Sequence, residues 1–291
     1  MAQSQATQLA IILSTFFLPI LTYLYFTKAQ TKRTSNAGPL PPPTEITALY
    51  IHPIKSCHGI KVQSAKLLPT GLDLDRQWMW VTASNYQFLT IRQNARMTLI
   101  RPSYNARDDT LTVTAPAPNS IDEKLTFTIP AHPSASWLAE HTTPHTAKIW
   151  SSQTDTAVYS PALTAPFNAF FGQEVRLVYK PPFRETYAPR GLASNGAPEV
   201  LGRTASTCFP DLMPLLVGNE ASINELNARV KAAENGNLAP LDVTRFRPNI
   251  LVRGQADAPW DEDRWKTLRI KTAGAEGKTV ADLDGGRGDQ V

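Results

Sequence analysis

Short segments in which apolar and polar residues alternate dominate the chain from residue 46 onward. The runs Leu-Thr-Val-Thr at 111–114 and Leu-Thr-Phe-Thr-Ile at 125–129 alternate cleanly, which is typical of strands with one face in a core. The run Trp-Met-Trp-Val at 78–81 is apolar on both faces, which indicates a fully buried strand. A short helix is predicted over 161–171, before Gly172. The pattern predicts a β-rich α+β fold.

The N-terminal segment 9–26 carries no charged residue. A helix of this length reaches about 27 Å, which is enough to span a bilayer. Basic residues follow the segment at once and none precedes it, so the positive-inside rule places the C-terminal bulk in the cytosol. A cleaved signal peptide is the alternative, but its basic start and small-residue cleavage site are not evident. We predict a membrane anchor over 1–27 and a Pro-rich linker over 28–45.

Composition narrows the functional classes. The chain has 291 residues, 42% of them hydrophobic and 19% charged, as in a folded protein. The net charge of +4 suits an anionic small ligand or a membrane surface, and it is too weak to predict a nucleic-acid partner. Two cysteines form no disulfide framework, which favours a reducing compartment. The glycine-rich segment 271–291 lacks aromatic residues and predicts a disordered tail.

A predicted strand ending at Pro53 leads into a turn that holds Lys55, Ser56 and Gly59. The lysine supplies positive charge, the hydroxyl and freed N–H groups supply hydrogen bonds, and glycine permits close approach. Such a turn suits an anionic ligand. From these residues alone, a solvated lysine in an ordinary surface turn is the commoner interpretation, because cations in turns are common.

Further polar residues also stand at predicted strand entrances or edges. Arg76 and Arg92, each taken on its own, are more typical of a local structural ion pair. If these positions converged on one rim of a β-barrel, they would form a strong anion pocket, but their spacing does not decide this. The residues are Arg76, Arg92, Arg245, Arg247 and Asn249.

Several of these residues lie in longer motifs that resemble a known family. The segments 50–57, 71–78 and 90–93 resemble the N-terminal β-barrel domain of MOSC proteins, and the segments 211–217, 220–227, 245–249 and 262–265 resemble the first part of the MOSC domain. Together they resemble the mitochondrial amidoxime-reducing components, which are membrane-anchored molybdenum enzymes.

The resemblance implies a domain order. An N-terminal MOSC β-barrel domain is expected over 46–180, and a truncated MOSC domain over 181–270, followed by the tail over 271–291. The expected fold class is therefore β-rich α+β, with the N-terminal barrel, an incomplete MOSC β-barrel and the N-terminal transmembrane helix.

The resemblance also implies a molybdenum–molybdopterin cofactor between the two domains. The resemblance implies that one set of residues contacts the cofactor, and that Arg247 and Asn249 in this set bind its phosphate or its pterin. It also implies that Asp211 lies close to the metal as the catalytic residue. The cofactor-binding set is Lys55, Ser56, Arg76, Arg92, Arg247 and Asn249.

Members of this family reduce small N-hydroxylated compounds with electrons from cytochrome b5 and its NADH-dependent reductase. The resemblance thus predicts these partners, and a membrane location, with the mitochondrial outer membrane as the implied site. The wider superfamily includes molybdenum cofactor sulfurases, whose partner domain uses pyridoxal phosphate, but this sequence shows no such domain.

The family also places a molybdenum-binding cysteine after the strand predicted at 267–270, and this chain has no cysteine beyond Cys208. Cys57 and Cys208 are the remaining candidates for the thiolate that molybdenum favours, but a buried, inert cysteine is the commoner fate, so the metal ligand stays unknown. His141 and His145 do not offer a helical pair, because Pro144 separates them. Three hypotheses remain: a molybdenum oxidoreductase, a truncated MOSC protein that binds the cofactor weakly or not at all, or a catalytically inactive MOSC protein acting as a membrane-anchored binding protein.

Overall fold

The fold was analysed in a computed structural model, which describes residues 43–120, 122–181, 207–233, 238–265, 267–271 and 279–284. The strands are β1 (Ile46–Ile51), β2 (Ile60–Val62), β3 (Leu67–Leu68), β4 (Gly71–Leu72), β5 (Trp78–Thr82), β6 (Arg101–Asn105), β7 (Thr110–Pro116), β8 (Lys124–Pro130), β9 (Thr142–Ile149), β10 (Ser152–Tyr159), β11 (Val175–Tyr179), β12 (Val217–Asn219), β13 (Ile250–Val252), β14 (Thr267–Lys271) and β15 (Thr279–Asp284). The α-helices are α1 (Ala135–His141), α2 (Pro161–Phe171) and α3 (Glu220–Ala233).

Three sheets and two hairpins organise the described residues. The first sheet has the order β12-β13-β1-β2, in which β1 runs antiparallel to both neighbours and β12 runs parallel to β13. The second has the order β5-β11-β10-β9 and the third β6-β7-β8, and both are antiparallel. Because Leu49 pairs with Ile250, the end of β1 lies beside the start of β13. The turn after β1 and the segment before β13 therefore meet at one edge of the first sheet.

The alternation predicted for the strands is confirmed. In β7, Leu111 and Val113 are buried, and in β8, Phe127 and Ile129 are buried, while the residues between them are more exposed. The prediction of a two-faced buried strand at β5 is confirmed as well. Its residues pack alternately into two apolar clusters, a larger one that contains Trp78 and Trp80 and a smaller one that contains Met79 and Val81.

The larger cluster is centred on Trp80. Its ring lies 6.2 Å from that of Phe127, 5.2 Å from Phe167 and 5.0 Å from Phe171. The two last residues belong to α2, whose bounds agree with the predicted helix and which ends at Gly172 in the left-handed conformation. Aromatic rings at such tilted and edge-on geometries add to the stability that their burial provides.

The predicted fold class needs correction at the N-terminus. None of the helices within the described residues combines the length and the apolar composition that crossing a bilayer requires. The fold is therefore stated as β-rich α+β, without the transmembrane helix. Residues 9–26, to which that helix was assigned, lie outside the described residues, as does the linker up to residue 42.

The C-terminus also differs from the prediction. Residues 279–284 lie in the segment predicted to be a disordered tail, yet they form β15 and pair with β14 in antiparallel register. The ladder joins Leu268 to Leu283 and Thr267 to Asp284. Backbone hydrogen bonds of a hairpin leave little trace in amino-acid composition, so composition did not reveal this strand.

A histidine ties two loops together at the edge of the third sheet. His132, after β8, places Nδ1 2.7 Å from Asp109 Oδ1 and Nε2 3.0 Å from Asp73 Oδ2. Both nitrogens face carboxylate oxygens, so both donate when the ring is an imidazolium. Partial burial opposes the charge, but the hydrogen bonds and charges of Asp109 and Asp73 outweigh it and raise the pKa of His132 above its ordinary value.

We expect this contact to stabilise the fold at low pH. A raised folded-state pKa contributes stability that is fully present below the unfolded pKa of about 6.5 and is lost as the pH rises through the folded pKa. The variant His132→Asn should lower the free energy of unfolding by about 0.5 kcal/mol at about pH 5 and by less at about pH 9, because the three side chains are partly exposed. Urea unfolding at both pH values measures the difference.

The control for this prediction is His145→Asn. His145 contacts the carbonyl of Thr146 and stacks on Tyr86, and it has no carboxylate partner in the described part of the chain. An equal pH dependence of the two variants would contradict the proposed role of Asp73 and Asp109.

Candidate functional site

The candidate site forms where the turn after β1 meets the segments before β5 and β13. Backbone hydrogen bonds link the turn to the β5 segment, from Arg76 N to His52 O (2.7 Å), from Trp78 N to Pro53 O (3.0 Å) and from Lys55 N to Trp78 O (2.8 Å). The pairing of β1 with β13 adds the segment 247–249 from the other side. The structure therefore brings predicted residues from both halves of the chain to one place.

Lys55 is the most constrained of these residues. Only 2% of it is exposed, and its Nζ donates to Phe209 O at 3.1 Å, to Pro210 O at 3.2 Å and to Asp211 Oδ1 at 2.5 Å. Burial lowers the pKa of Lys55 to about 8, although the carboxylate of Asp211 favours the charged form. Its ammonium is therefore poised to lose a proton just above neutral pH.

Asp211, the residue predicted to lie close to the metal, is the ion-pair partner of Lys55 and remains half exposed. Burial acts to raise the pKa of its carboxyl group. The charge and hydrogen bond of Lys55 and the charges of Arg247 and Arg76 outweigh that effect, so the pKa of Asp211 is lowered. The structure thus places Asp211 among the predicted cations as an anion.

Three predicted residues adopt the left-handed backbone conformation. The φ angles are 66° at Ser56, 51° at Arg76 and 56° at Arg247. Residues other than glycine seldom adopt this region, and such positions cluster at functional sites. Three of them on separate segments that meet in one place support the hypothesis that the site has a function.

Arg76 and Asn249 form a buried polar network. Arg76 Nη1 donates to Asp75 Oδ2 at 2.5 Å and to Asn249 Oδ1 at 3.0 Å, while Nη2 donates to Arg247 O at 3.1 Å. Asn249 Oδ1 also accepts from Leu216 N at 3.1 Å, and its Nδ2 donates to Tyr50 O at 3.3 Å. Much of the hydrogen-bonding capacity of both side chains is therefore used within the protein, where they hold the segments of the site together.

Arg247 behaves differently. Its Nε and Nη2 atoms are buried and have no hydrogen-bond partner within the described part of the protein. Burial lowers the pKa of this guanidinium, and the nearby charge of Arg76 adds to the effect. Buried donors of a charged group are costly when unpaired, so these atoms indicate a place for an anionic ligand.

Arg92 lies over an aromatic ring that borders the site. Its side chain is exposed, and its Cζ lies 5.8 Å from the ring centroid of Trp150. Lys55 Nζ lies 5.5 Å from the same centroid and 5.7 Å from that of Phe88. Arg245, by contrast, is exposed at the end of the 3₁₀ turn Val243–Arg245, and the described contacts do not join it to this network.

Sequence reasoning missed two residues of the site. Trp150 is one, and only its place in a tight turn between two alternating strands could have indicated it. His52 is the other. Burial lowers its pKa to about 2, Arg76 and Arg247 reinforce the shift, and the ring is therefore neutral. Its Nε2 donates to Pro248 O at 3.2 Å, while Nδ1 is a buried acceptor without a partner in the described residues.

The residues present fit an anionic group better than a bare metal ion. Both cysteines are buried, and burial raises the pKa of Cys57 to about 12 and that of Cys208 to about 11, so both are thiols at neutral pH. Across the part of the chain that the structure describes, no cluster of three His, Cys, Asp or Glu residues could hold a metal. A metal-ligand role for either cysteine stays untested.

Comparison with known families identifies the two halves of the site. A family model described as "MOSC N-terminal beta barrel domain" matches residues 44–172, and one described as "MOSC domain" matches residues 206–283. This chain is a MOSC-domain protein. The second match extends into β15, beyond the boundary predicted at residue 270.

Two groups of curated proteins are similar to this MOSC-domain protein. The human molybdenum cofactor sulfurase is 26% identical over 80% of this chain and 26% of its own length. The human mitochondrial amidoxime-reducing component 1 is 27% identical over 75% of this chain and 59% of its own length. The bovine mitochondrial amidoxime reducing component 2 is 26% identical over 77% of this chain and 60% of its own length. The chain thus spans about a quarter of the sulfurase and about three fifths of the amidoxime-reducing components.

We expect Asn249 to be essential for stability. The variant Asn249→Leu leaves the N–H of Leu216 and the carbonyl of Tyr50 without their side-chain partner and removes one acceptor of Arg76. Unsatisfied buried groups each cost about 1–3 kcal/mol, so the variant should lose at least about 3 kcal/mol. Urea unfolding measures the loss.

The matched variant is Asn249→Asp, which keeps the acceptor that faces Arg76 and loses the donor to Tyr50. It should be less destabilising than Asn249→Leu at neutral pH. A leucine variant as stable as the wild type would show that the network does not hold the segments together.

Proposed function

We propose that this MOSC-domain protein binds a molybdenum–molybdopterin cofactor through the phosphate of the cofactor, and that it is an oxidoreductase that reduces small N-hydroxylated compounds. The observation that carries the proposal is the pair of buried guanidinium nitrogens of Arg247 that lack a hydrogen-bond partner among the described residues. The similarity to molybdenum cofactor sulfurases and amidoxime-reducing components supports the choice of cofactor.

Five of the predicted residues have a part in this proposal. Arg247 donates from Nε and Nη2 to the phosphate, and Lys55 turns its ammonium from Asp211 toward the same anion. Ser56 offers its hydroxyl from the buried turn. Arg76 and Asn249 act mainly by holding the segments in place, since Arg76 Nη2 binds the carbonyl of Arg247. Charge-assisted hydrogen bonds of this kind are the strong ones in anion recognition.

When bound, the molybdenum centre would supply the electrons for the reduction. The chain contributes positioning and proton transfer. Reduction of an N–O group consumes protons, and a general acid works best with a pKa near the operating pH. Lys55 Nζ, with a pKa of about 8, meets that requirement, and the ionised carboxylate of Asp211 keeps this ammonium charged.

The electron donors in this proposal are cytochrome b5 and its NADH-dependent reductase. The names of the similar amidoxime-reducing components include the word mitochondrial, which supports a mitochondrial location for this chain.

A second candidate is a cofactor-binding protein without catalysis. The burial of the two cysteines favours it, because Cys57 packs in the larger apolar cluster and buried structural cysteines are generally inert. In that case the cofactor would be held by its phosphate, and N-hydroxylated compounds would not be reduced.

The deciding experiment measures molybdenum and pterin in the purified full chain, expressed in a host that makes the cofactor. Near-stoichiometric pterin supports the site, and turnover of an N-hydroxylated compound such as benzamidoxime separates the enzyme from the binding protein. A folded sample that retains neither pterin nor molybdenum would refute both candidates.

We expect Arg247→Met to lower cofactor retention at least about 10-fold, because charge-assisted hydrogen bonds contribute about 1.5–3 kcal/mol each. The matched control is Arg253→Met, which removes an exposed arginine whose partner is Glu45. Pterin content after gel filtration measures retention. Equal retention in the two variants would remove Arg247 from the site.

We also expect cofactor binding to weaken as the pH rises. The ammonium of Lys55 binds an anion only when protonated, so its contribution is present below the pKa of about 8 and is lost above it. The cofactor should therefore dissociate faster from the wild type at about pH 10 than at about pH 7. The variant Lys55→Met should show weak binding with less pH dependence, and an unchanged pH dependence would assign the effect to another group.

A further inference from the structure

Trp150 occupies the turn between β9 and β10 in an unusual conformation. Its φ angle is 53°, in the left-handed region that bulky residues seldom adopt. The ring lies 4.7 Å from that of Phe88 at an interplanar angle of 59°, and it packs against the smaller apolar cluster. That cluster also contains Phe209, whose carbonyl accepts a hydrogen bond from Lys55. Packing therefore fixes the ring beside the candidate site.

Two cations from separate segments lie over this one ring. Lys55 Nζ is 5.5 Å from its centroid and Arg92 Cζ is 5.8 Å from it. The negative face of a tryptophan ring attracts a cation at such distances by about 0.5–2 kcal/mol. The one ring therefore contacts both cations.

The two cations differ in their other partners. Lys55 is neutralised by Asp211 and by two carbonyl groups. Arg92 makes no hydrogen bond or ion pair with any residue that the structure describes, and its contact with Trp150 is the interaction that orients it. An exposed arginine that is oriented without an acidic partner is available to an arriving anion.

We propose that Trp150 is a positioning residue that holds Arg92 beside Lys55, so that the two cations together bind one phosphate dianion. The inference rests on the proposed function, because it assumes an anionic ligand at this site. The inference goes beyond that function because it assigns a role to Trp150, in the turn between β9 and β10. None of the described contacts joins Trp150 to Arg247 or Asn249.

The test is a double-mutant cycle on the cofactor-free full chain, with inorganic pyrophosphate as the probe and isothermal titration calorimetry as the measurement. Trp150→Leu and Arg92→Gln should each weaken binding by about 5-fold, which corresponds to about 1 kcal/mol. The double variant should also be weakened by about 5-fold rather than by the product of the two, because both changes remove the same contact. Trp150→Phe, which keeps an aromatic face, should retain most of the affinity.

The matched control is Trp137→Leu. Trp137 stacks on His141 at 4.2 Å and contacts neither Lys55 nor Arg92 in the described structure, so its loss should leave pyrophosphate binding unchanged. A merely structural role for Trp150 would weaken binding independently of Arg92, and additive effects in the cycle would therefore overturn the inference. If Trp150→Leu does not fold, Trp150→Met takes its place in the cycle.

The source of the phosphate is decided by repeating the titration on cofactor-loaded protein. Loss of pyrophosphate binding in the loaded chain means that the phosphate of the cofactor occupies the Lys55–Arg92 position, and retained binding means that a separate phosphate compound binds there. Both results support the inference. A wild type that retains cofactor but does not bind pyrophosphate would overturn the inference alone, whereas a wild type that binds neither would overturn it together with the proposed function.

Discussion

The pairing of β1 with β13 is the constraint on which the candidate site depends. It joins strands from opposite ends of the described chain, and Asn249 reinforces it by bonding to both backbone groups of Tyr50, 199 residues away in sequence. Without this pairing, Lys55 and Arg247 would belong to unrelated parts of the fold. Because the pairing is antiparallel, the turn after one strand and the approach to the other fall at the same edge.

The charges at this edge explain the ion pairing and the protonation state of each group. Asp75 is paired with Arg76, and Asp211 is paired with Lys55, so the guanidinium of Arg247 is the charge left over among these buried groups. The same excess of positive charge, together with burial, keeps His52 neutral. An anionic ligand would restore the balance, which is why the geometry supports anion binding more directly than it supports any particular redox reaction.

Local features of the fold could be predicted from the sequence, and long-range ones could not. Alternation in β7 and β8, the two-faced apolar run of β5 and the helix before Gly172 are encoded within a few residues. The convergence of Lys55 with Arg247 depends on strand pairing across most of the chain, and only the resemblance to MOSC proteins predicted it. The strand β15 was missed because its composition resembles that of a disordered segment.

Within the site, residue types could be predicted but their partners could not. The sequence indicated the cations and Asn249 as site residues because of their charged or polar side chains. Burial and hydrogen bonding in the structure decide which of them hold the segments together and which can bind a ligand. Asn249 and Arg76 bond mainly to the protein itself, while Arg247 has donors to spare, and nothing in the motif distinguishes the two arginines. Trp150 carries no charge, and its place beside two cations is set by the packing of Phe88 and Phe209.

The ion pair between Lys55 and Asp211 can be understood as an internal substitute for the ligand. A buried ammonium without a counter-charge would lose its proton, since desolvation disfavours the charged form. Asp211 supplies that counter-charge but remains half exposed, so its carboxylate can return to water at little cost when another anion arrives. The pair therefore keeps Lys55 charged in the ligand-free protein and still leaves it able to change partners. A fully buried carboxylate would have made the exchange far less favourable, because breaking a buried pair leaves an uncompensated charge.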